Sequence, residues 1–364
     1  MDPLYDEVRP DFWYLYAPAA NVRKRLEIQG YTAQLCRKLW EHGYREHLES
    51  IERMALTYEE HGLTEELAAC RSWTYDSWQE DYFRSASTRS IDALLGPSGM
   101  LRYEISDPFA CLAIQIDALQ PQAVWMDLTD LYEGEFDASV SLTTNLAKRY
   151  SDDREEDGPI GKILILTEGK SDSKLLAAAL AALYPEFCDI YDFVDFEGFK
   201  IEGGASPLAR MVKAFAGVKQ QIRILAVFDN DAAGHEAMMS LSRVQFPRNI
   251  RLMTLPDIPF ARRYPTIGPE GLRPMDVNGS ACSIELFLGK EALVIADRAL
   301  SPVRWSQWNA RAERYQGELD RKDAVATKFL ELLQSGDSPR RLRKRFPEMH
   351  QLLQSIFRAF APAT

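Results

Sequence analysis

Cysteine is scarce in this chain, and its lack of paired positions removes several chemistries at once. The five cysteines, Cys36, Cys70, Cys111, Cys188 and Cys282, stand singly, with no C-x-x-C pair for zinc and no dense disulfide framework. Reduced thiols in a cytoplasmic protein are therefore expected. No stretch approaches the roughly 18 uncharged apolar residues that span a bilayer. Met1 to Pro10 carries three acidic residues before any apolar run, so neither export nor membrane insertion is expected. A Walker A motif is missing too, which leaves any ATPase to a separate partner. Internal repeats and low-complexity tracts are also absent.

What the chain does have is apolar mass and negative charge. Its 364 residues, 46% hydrophobic and 27% charged, suffice for cores in two domains of ordinary size. A net charge of -11 argues against a DNA-coating surface but is compatible with a nuclease, whose metal-binding carboxylates add to that number. The charge is uneven: Ser301 to Thr364 holds twelve Lys/Arg against seven Asp/Glu, leaving about -16 for the rest. Its densest run is Arg340, Arg341, Arg343, Lys344 and Arg345, between Pro339 and Pro347. Such a run reads either as a solvated helix face or as a set of phosphate contacts for nucleic acid.

Residues 21–150 have helical spacing. Leu35, Leu39, Tyr44, Leu48, Ile51 and Ala55 mark an apolar stripe on a helix beginning near Thr32. A second run, about Thr64 to Phe83, holds Trp73, Tyr75, Trp78, Tyr82 and Phe83, and core packing between helices is the expected use of those rings. Another helix is expected after Pro108. Ser151 to Pro159 has six charged residues in nine and reads as a solvated linker at 151–160. Beyond it, short apolar runs at 162–167, 191–196, 223–229 and 251–255 alternate with helical stretches from Ser171, Ser206 and Ala233. That alternation predicts a mainly parallel sheet covered by helices, over 161–300. A helical, basic extension over 301–364 is expected to follow, with helices at Arg311 to Gln334 and Ser338 to Phe360.

In a parallel α/β sheet the functional loops lie beyond the carboxyl ends of the strands. Glu168 follows ILILT directly, and Asp229 and Asp231 follow ILAVF, two residues apart and thus on one side of an extended chain. Clustered carboxylates repel unless a cation offsets them. With no Cys or His pair nearby, the cation should be hard and oxygen-loving, Mg²⁺ with Mn²⁺ as its substitute.

LTEGKSDSKLL at 166–176, followed about sixty residues on by FDNDAAG at 228–234, resembles the Toprim domain. That domain is shared by topoisomerases, primases, recombination-mediator proteins and the overcoming-lysogenization-defect nucleases. The resemblance covers about Gly161 to Asp297. It implies a Rossmann-like sheet with Glu168 as general acid/base or metal ligand and Asp229 and Asp231 as metal ligands. In the nuclease branch, Asp172 and the late acidic residue, here Glu285, would join the metal site, and Lys290 would neutralise transition-state charge. Asp172 suits a first-turn carboxylate equally well. Primases add a zinc ribbon and topoisomerases a catalytic tyrosine on a longer chain, so nuclease remains. Lys170 and the glycine-rich loop at 198–207 are further candidates for contact with a phosphate backbone.

The stretch at 14–36 resembles the helical domain of HEPN/Toprim-associated proteins, in which a ribonuclease would use an Arg-x4-6-His pair. Arg37 and His42 are the one such pair noted. Five residues place them about 140° apart around a regular helix. His42 is therefore expected beside the Leu35 and Leu39 core face and Arg37 in solvent.

The combined expectation is a helical HEPN-like domain at 1–150, the linker, a Toprim domain and a helical basic tail. Together they would act as a Mg²⁺-dependent endonuclease on nucleic acid, DNA more than RNA. The architecture resembles bacterial antiviral systems, with a homodimer or larger homo-oligomer and a separate ATPase or sensor as compatible partners. Two alternatives stay open: a regulatory module binding metal or nucleotide without cutting, and an HEPN-type ribonuclease using Arg37 and His42.

Overall fold

The computed structural model describes residues 13–58, 68, 70–87, 105, 107–134, 136–142, 161–194, 196, 200–218, 222–296 and 299–361. The chain divides at Gly158 into two units, the second running to Phe360. The acidic stretch at 151–160 lies outside the described residues.

The first unit contains β1 (Tyr14–Pro18), α1 (Ala19–Ile28), α2 (Ala33–Tyr58), α3 (Tyr75–Ser87), α4 (Pro108–Leu119), β2 (Ala123–Asp127) and α5 (Thr129–Gly134). Asp107 caps α4 by accepting from the Phe109 and Ala110 amides, with Pro108 in the first turn where no amide hydrogen is needed. The helical reading of this half missed β1 and β2, which pair antiparallel from Tyr14 with Asp127 to Pro18 with Ala123.

The expected stripe on α2 holds in part: Ile51 is buried and Leu39, Tyr44 and Leu48 pack against the cores, but neighbouring residues form most of its buried centre. Cys36, Trp40, Gly43, His47 and Ile51 are buried, Leu39, Tyr44 and Leu48 flank them, and Leu35 faces solvent. The rings after Thr64 do pack inward: Tyr75, Trp78 and Tyr82 join Trp40 in one core, and Trp78 stacks on Tyr82 with centroids 5.4 Å apart. Phe83 stays exposed.

The second unit is a mixed α/β fold with the arrangement of a generic Rossmann-like domain. Its main sheet contains β3 (Ile163–Leu166), β4 (Tyr191–Phe193), β5 (Arg223–Phe228) and β7 (Ile250–Thr254) in the order β4-β3-β5-β7, all parallel. Five of the six residues of β5 are buried, as a strand covered on both faces requires. Helices α6 (Lys170–Leu183), α7 (Ala205–Gly217) and α8 (Ala232–Leu241) connect these strands, and Leu208, Val212 and Leu241 pack against Leu166, Ala226 and Phe228. Short β6 (Asn230–Asp231) and β10 (Ala281–Cys282) pair antiparallel beyond the end of β5.

A second sheet joins β8 (Tyr264–Gly268), β9 (Gly271–Met275), β13 (Val303–Asn309) and β14 (Arg314–Leu319) in the order β14-β13-β8-β9. Short α9 (Lys290–Leu293), β11 (Val294–Ala296) and β12 (Ala299–Leu300) precede β13. The helix expected over Arg311 to Gln334 is therefore a strand, β14, followed by α10 (Lys322–Leu333). Helices α11 (Pro339–Arg345) and α12 (Pro347–Phe357) complete the unit, burying Leu342, Phe346, Met349, Leu352 and Phe357. Residues 301–360 are thus built into the same unit as the parallel sheet. Among the described residues no helix is long and apolar enough to cross a membrane.

Candidate functional site

Strands β3 and β5 are adjacent and parallel, Leu166 at the end of β3 pairing with Ala226, two residues before the end of β5. The chain then delivers Glu168 and Asp229 to the same rim, where the Asp229 amide donates to Glu168 Oε1 at 2.9 Å. Asp231 caps α8 by accepting from the Gly234 amide at 2.7 Å through Oδ1, while Oδ2 accepts from Gln316 Nε2 at 2.6 Å. Each of these oxygens keeps a second lone pair. The glycine-rich loop closes over Glu168 from the other side: the Gly204 amide donates to the Glu168 carbonyl at 2.5 Å, and a Cβ at Gly203 would lie 3.1 Å from that oxygen. Gly204 has φ of +112°, a conformation that favours glycine.

Burial governs the electrostatics. It pushes the Glu168 carboxyl up from an ordinary 4.5 to about 8, with Asp231 and Asp172 adding like-charge repulsion and the Asp229 amide opposing. Burial and then Glu285 push Asp172 from 3.8 to about 7. Asp229 is raised well above the carboxylate range by burial, followed by Asp172, Glu168, Asp231 and Glu285. The five acidic residues singled out in the sequence therefore influence one another across one site. Glu285 is buried in the helical turn Ile284–Leu288, where Ser283 Oγ donates to its Oε2 at 2.5 Å.

Among the described residues no three His, Cys, Asp or Glu groups converge into a ready-made metal cage. The donors nevertheless suit Mg²⁺ in kind, being all oxygen. They suit it in charge as well, since burial without sufficient countercharge raises the proton affinity of Glu168, Asp172 and Asp229. Lys322, which no local motif marks, opposes the rise at Asp172. Lys322 also pairs with Glu318. Gln316 was equally hidden, lying on a segment read as helix.

The other candidates are more dispersed. Lys290 is exposed, its Nζ 5.5 Å from the Phe260 ring centroid. Lys170 is exposed in the first turn of α6. Of the basic run, Arg343 lies over the Tyr184 ring and reaches Glu186 at 3.4 Å, and Arg345 bonds Glu291 at 2.7 Å and Asp337 at 3.1 Å. Those two staple α11 to the body, and Arg340, Arg341 and Lys344 face solvent. Arg37 pairs with Asp76 at 2.7 Å. His42 lies away from the core face expected for it: its side chain is 62% exposed and 3.5 Å from Glu46, and the buried histidine of α2 is His47.

The raised carboxyls link stability to pH. The folded chain holds protons on Glu168 up to about 8 and on Asp172 up to about 7, whereas unfolding lets them leave near 4.5 and 3.8. Between those values the native state binds more protons, so stability falls as pH rises. His235 and His350, whose pKa values burial lowers from 6.5, act oppositely below that value. In EDTA the melting temperature is therefore expected to decline from pH 6.5 to 8, and excess Mg²⁺ should raise it more at pH 8 than at 6.5. A flat profile in EDTA, checked by differential scanning fluorimetry, counts against an uncompensated cluster.

Fold and site together define an α/β chain with a buried acidic cluster beyond the carboxyl ends of a parallel sheet. Comparison with family models, curated proteins and solved structures found no match.

Proposed function

We propose that the chain is a Mg²⁺-dependent nuclease of Toprim type acting on nucleic acid, with DNA the favoured substrate, in a triggered antiviral setting. The observation that carries this reading is the pairing of Glu168 with Asp229 at the ends of adjacent parallel strands, bonded side chain to backbone at 2.9 Å. Glu168, Asp172, Asp229, Asp231 and Glu285 would supply oxygen ligands. Bound Mg²⁺ would offset their charge, polarise a phosphate and lower the pKa of a water.

The protein's own contribution is proton handling and positioning. In the metal-free chain burial raises Glu168 to about 8, so that it holds a proton near neutral pH, and a bound Mg²⁺ would favour its release. With Oε1 engaged by the Asp229 amide, Oε2 is the atom available to do so. Gln316 positions Asp231. Arg340, Arg341 and Lys344, together with Lys170 at the amino end of α6, would contact phosphates.

The test is incubation of the full chain with supercoiled plasmid and with transfer or ribosomal RNA, in Mg²⁺, Mn²⁺ and EDTA, beside Glu168→Gln. Cleavage that needs the cation and vanishes in the variant is expected. Cleavage surviving both EDTA and Glu168→Gln but lost in Arg37→Ala or His42→Ala moves the chemistry to the helical unit. A wild-type protein that binds Mg²⁺ and cuts nothing, even with its trigger, is a regulatory module.

A further inference from the structure

We propose that the cleft between the β8–β9 and β13–β14 hairpins binds an unstacked nucleotide of a single strand. This inference rests on the nucleic-acid reading of the acidic site and narrows its substrate class. The cleft encloses about 640 Å³ and is separate from the carboxylates. Its wall includes Trp308 and Tyr315, a cross-strand pair with ring centroids 5.0 Å apart at 72°. Pairing stabilises the hairpin, yet the two rings remain 52% and 56% exposed, leaving aromatic faces open toward the cleft. Trp305 lies deeper, and its indole N–H is buried without an acceptor among the described residues.

The formal charges on the cleft wall cancel, Arg273 and Arg314 against Glu270 and Asp276, and the cation placed to meet a phosphate is Arg314. Arg314 donates to the carbonyls of Gly279 and Ala312 at 2.7 and 3.2 Å, and among the described residues no carboxylate pairs with it. The two acids on the wall have partners: Glu270 holds Arg273 at 2.6 Å, and Asp276 accepts from the Asn278 amide at 3.0 Å. Open rings beside an uncompensated guanidinium are the chemistry that takes a base and its phosphate from single strands. A base inside a duplex is already stacked and offers these rings no face.

The cleft is tied to the acidic site through two adjacent strand positions. Tyr315 lines the cleft, and Gln316, pointing to the opposite side of β14, holds Asp231 at 2.6 Å. On the neighbouring segment Gly279 binds Arg314, and Ser280 bridges to Asp231. A strand held by one base in the cleft would thus have its backbone near the carboxylates.

The experiment titrates the full chain in EDTA with a short fluorescein-labelled oligodeoxynucleotide, its RNA counterpart, the DNA duplex and AMP. Anisotropy follows the polymers and tryptophan fluorescence follows AMP. Single strands are expected to bind at least about tenfold more tightly than duplex. Trp308→Ala and Tyr315→Ala should each weaken them by about tenfold, the scale of one stacked base, with the melting temperature lowered by no more than the few degrees that one lost cross-strand pair costs. Trp308→Phe should retain most of the affinity. The DNA and RNA arms name the preferred strand. Equal binding of duplex, or alanine variants that bind like wild type, overturns the proposal, as does AMP bound while every oligonucleotide is refused. Because EDTA suppresses metal-dependent cleavage, strand binding without any nuclease activity would sink the nuclease reading alone. Cleavage that persists with strand affinity unmoved by Trp308→Ala would sink the cleft alone.

Discussion

Asp229→Asn is expected to raise the melting temperature of the metal-free protein while abolishing its cleavage. The two effects have one cause. Asp229 sits among Asp172, Glu168, Asp231 and Glu285, and burial together with their charge raises its proton affinity well above the carboxylate range. Near neutral pH the native state must either protonate part of the cluster or bear its repulsion, and an amide of the same shape removes one source of that cost. For a unit of this size, about 1–2 kcal/mol regained corresponds to a melting point higher by roughly 2–8 °C. On the proposed nuclease reading the same substitution would also remove an anionic oxygen donor for Mg²⁺, and cleavage should fall by at least about a hundredfold, the loss of several kcal/mol of transition-state stabilisation. Thermal melts in EDTA beside plasmid cleavage in Mg²⁺ check both halves. A variant that melts lower and still cuts would remove Asp229 from the site.

The rise should also be specific to the metal-free state. Mg²⁺ favours the deprotonated cluster, so its stabilising effect on the wild type should exceed its effect on Asp229→Asn. A general improvement in packing would shift the variant equally in EDTA and in Mg²⁺.

The parts of this arrangement that were legible in the sequence share one property: their buried sides are made of apolar residues in unbroken runs. Strands β3 and β5 are such runs, because parallel strands covered on both faces need no polar alternation, whereas the edge strand β7 carries Arg251 and buries only Ile250. Glu168 and Asp229 were found because each stands just beyond one. Strand β14, RYQGEL, lacks that property. Its polar Arg314, Gln316 and Glu318 alternate with Tyr315, Gly317 and Leu319, a period-2 signal too short to stand out inside a stretch read as helix, and β13 pairs with it from Val303 opposite Leu319 to Asn309 opposite Arg314. Its contact with the site, Gln316 to Asp231, spans 85 positions and leaves no local trace.

The stripe on α2 was only partly legible for a related reason. Leu35 is more apolar than Cys36, and His47 counts as polar, yet the partner helices decide which side is covered, and they cover Cys36 and His47. The same choice of face governs the Arg37 and His42 expectation: the face that buries Trp40 and Gly43 leaves His42 outside.

Gly234→Ala is expected to damage fold and site together. Gly234 lies in the first turn of α8, where its amide donates to the capping Asp231 carboxylate, and the helix starts hard against the end of β5. A Cβ there would overlap the Asp229 carbonyl oxygen, stand 3.1 Å from the Asp229 carbonyl carbon and reach 3.2 Å from Glu168 Oε1. Two of those three neighbours are backbone, which cannot swing aside as a side-chain end does. Admitting the methyl therefore means moving α8 off the strand end, breaking the Asp231 cap or displacing Asp229. Overpacking commonly costs about 1–3 kcal/mol, and with backbone in the way the upper end applies, a melting point lower by roughly 6–12 °C. The response to Mg²⁺ should shrink in step, because the carboxylates stand on the elements that separate. Gly169→Ala is the matched comparison. It follows Glu168 directly, yet its Cβ would meet only side-chain oxygens of Asp172 and Ser171, at 3.6 and 4.0 Å, and its extended φ of -155° admits alanine. That variant should melt within a few degrees of the wild type and keep its Mg²⁺ shift. If Gly234→Ala instead behaves like Gly169→Ala, α8 slides freely along the rim, and the carboxylates are brought together by the cation rather than held ready for it.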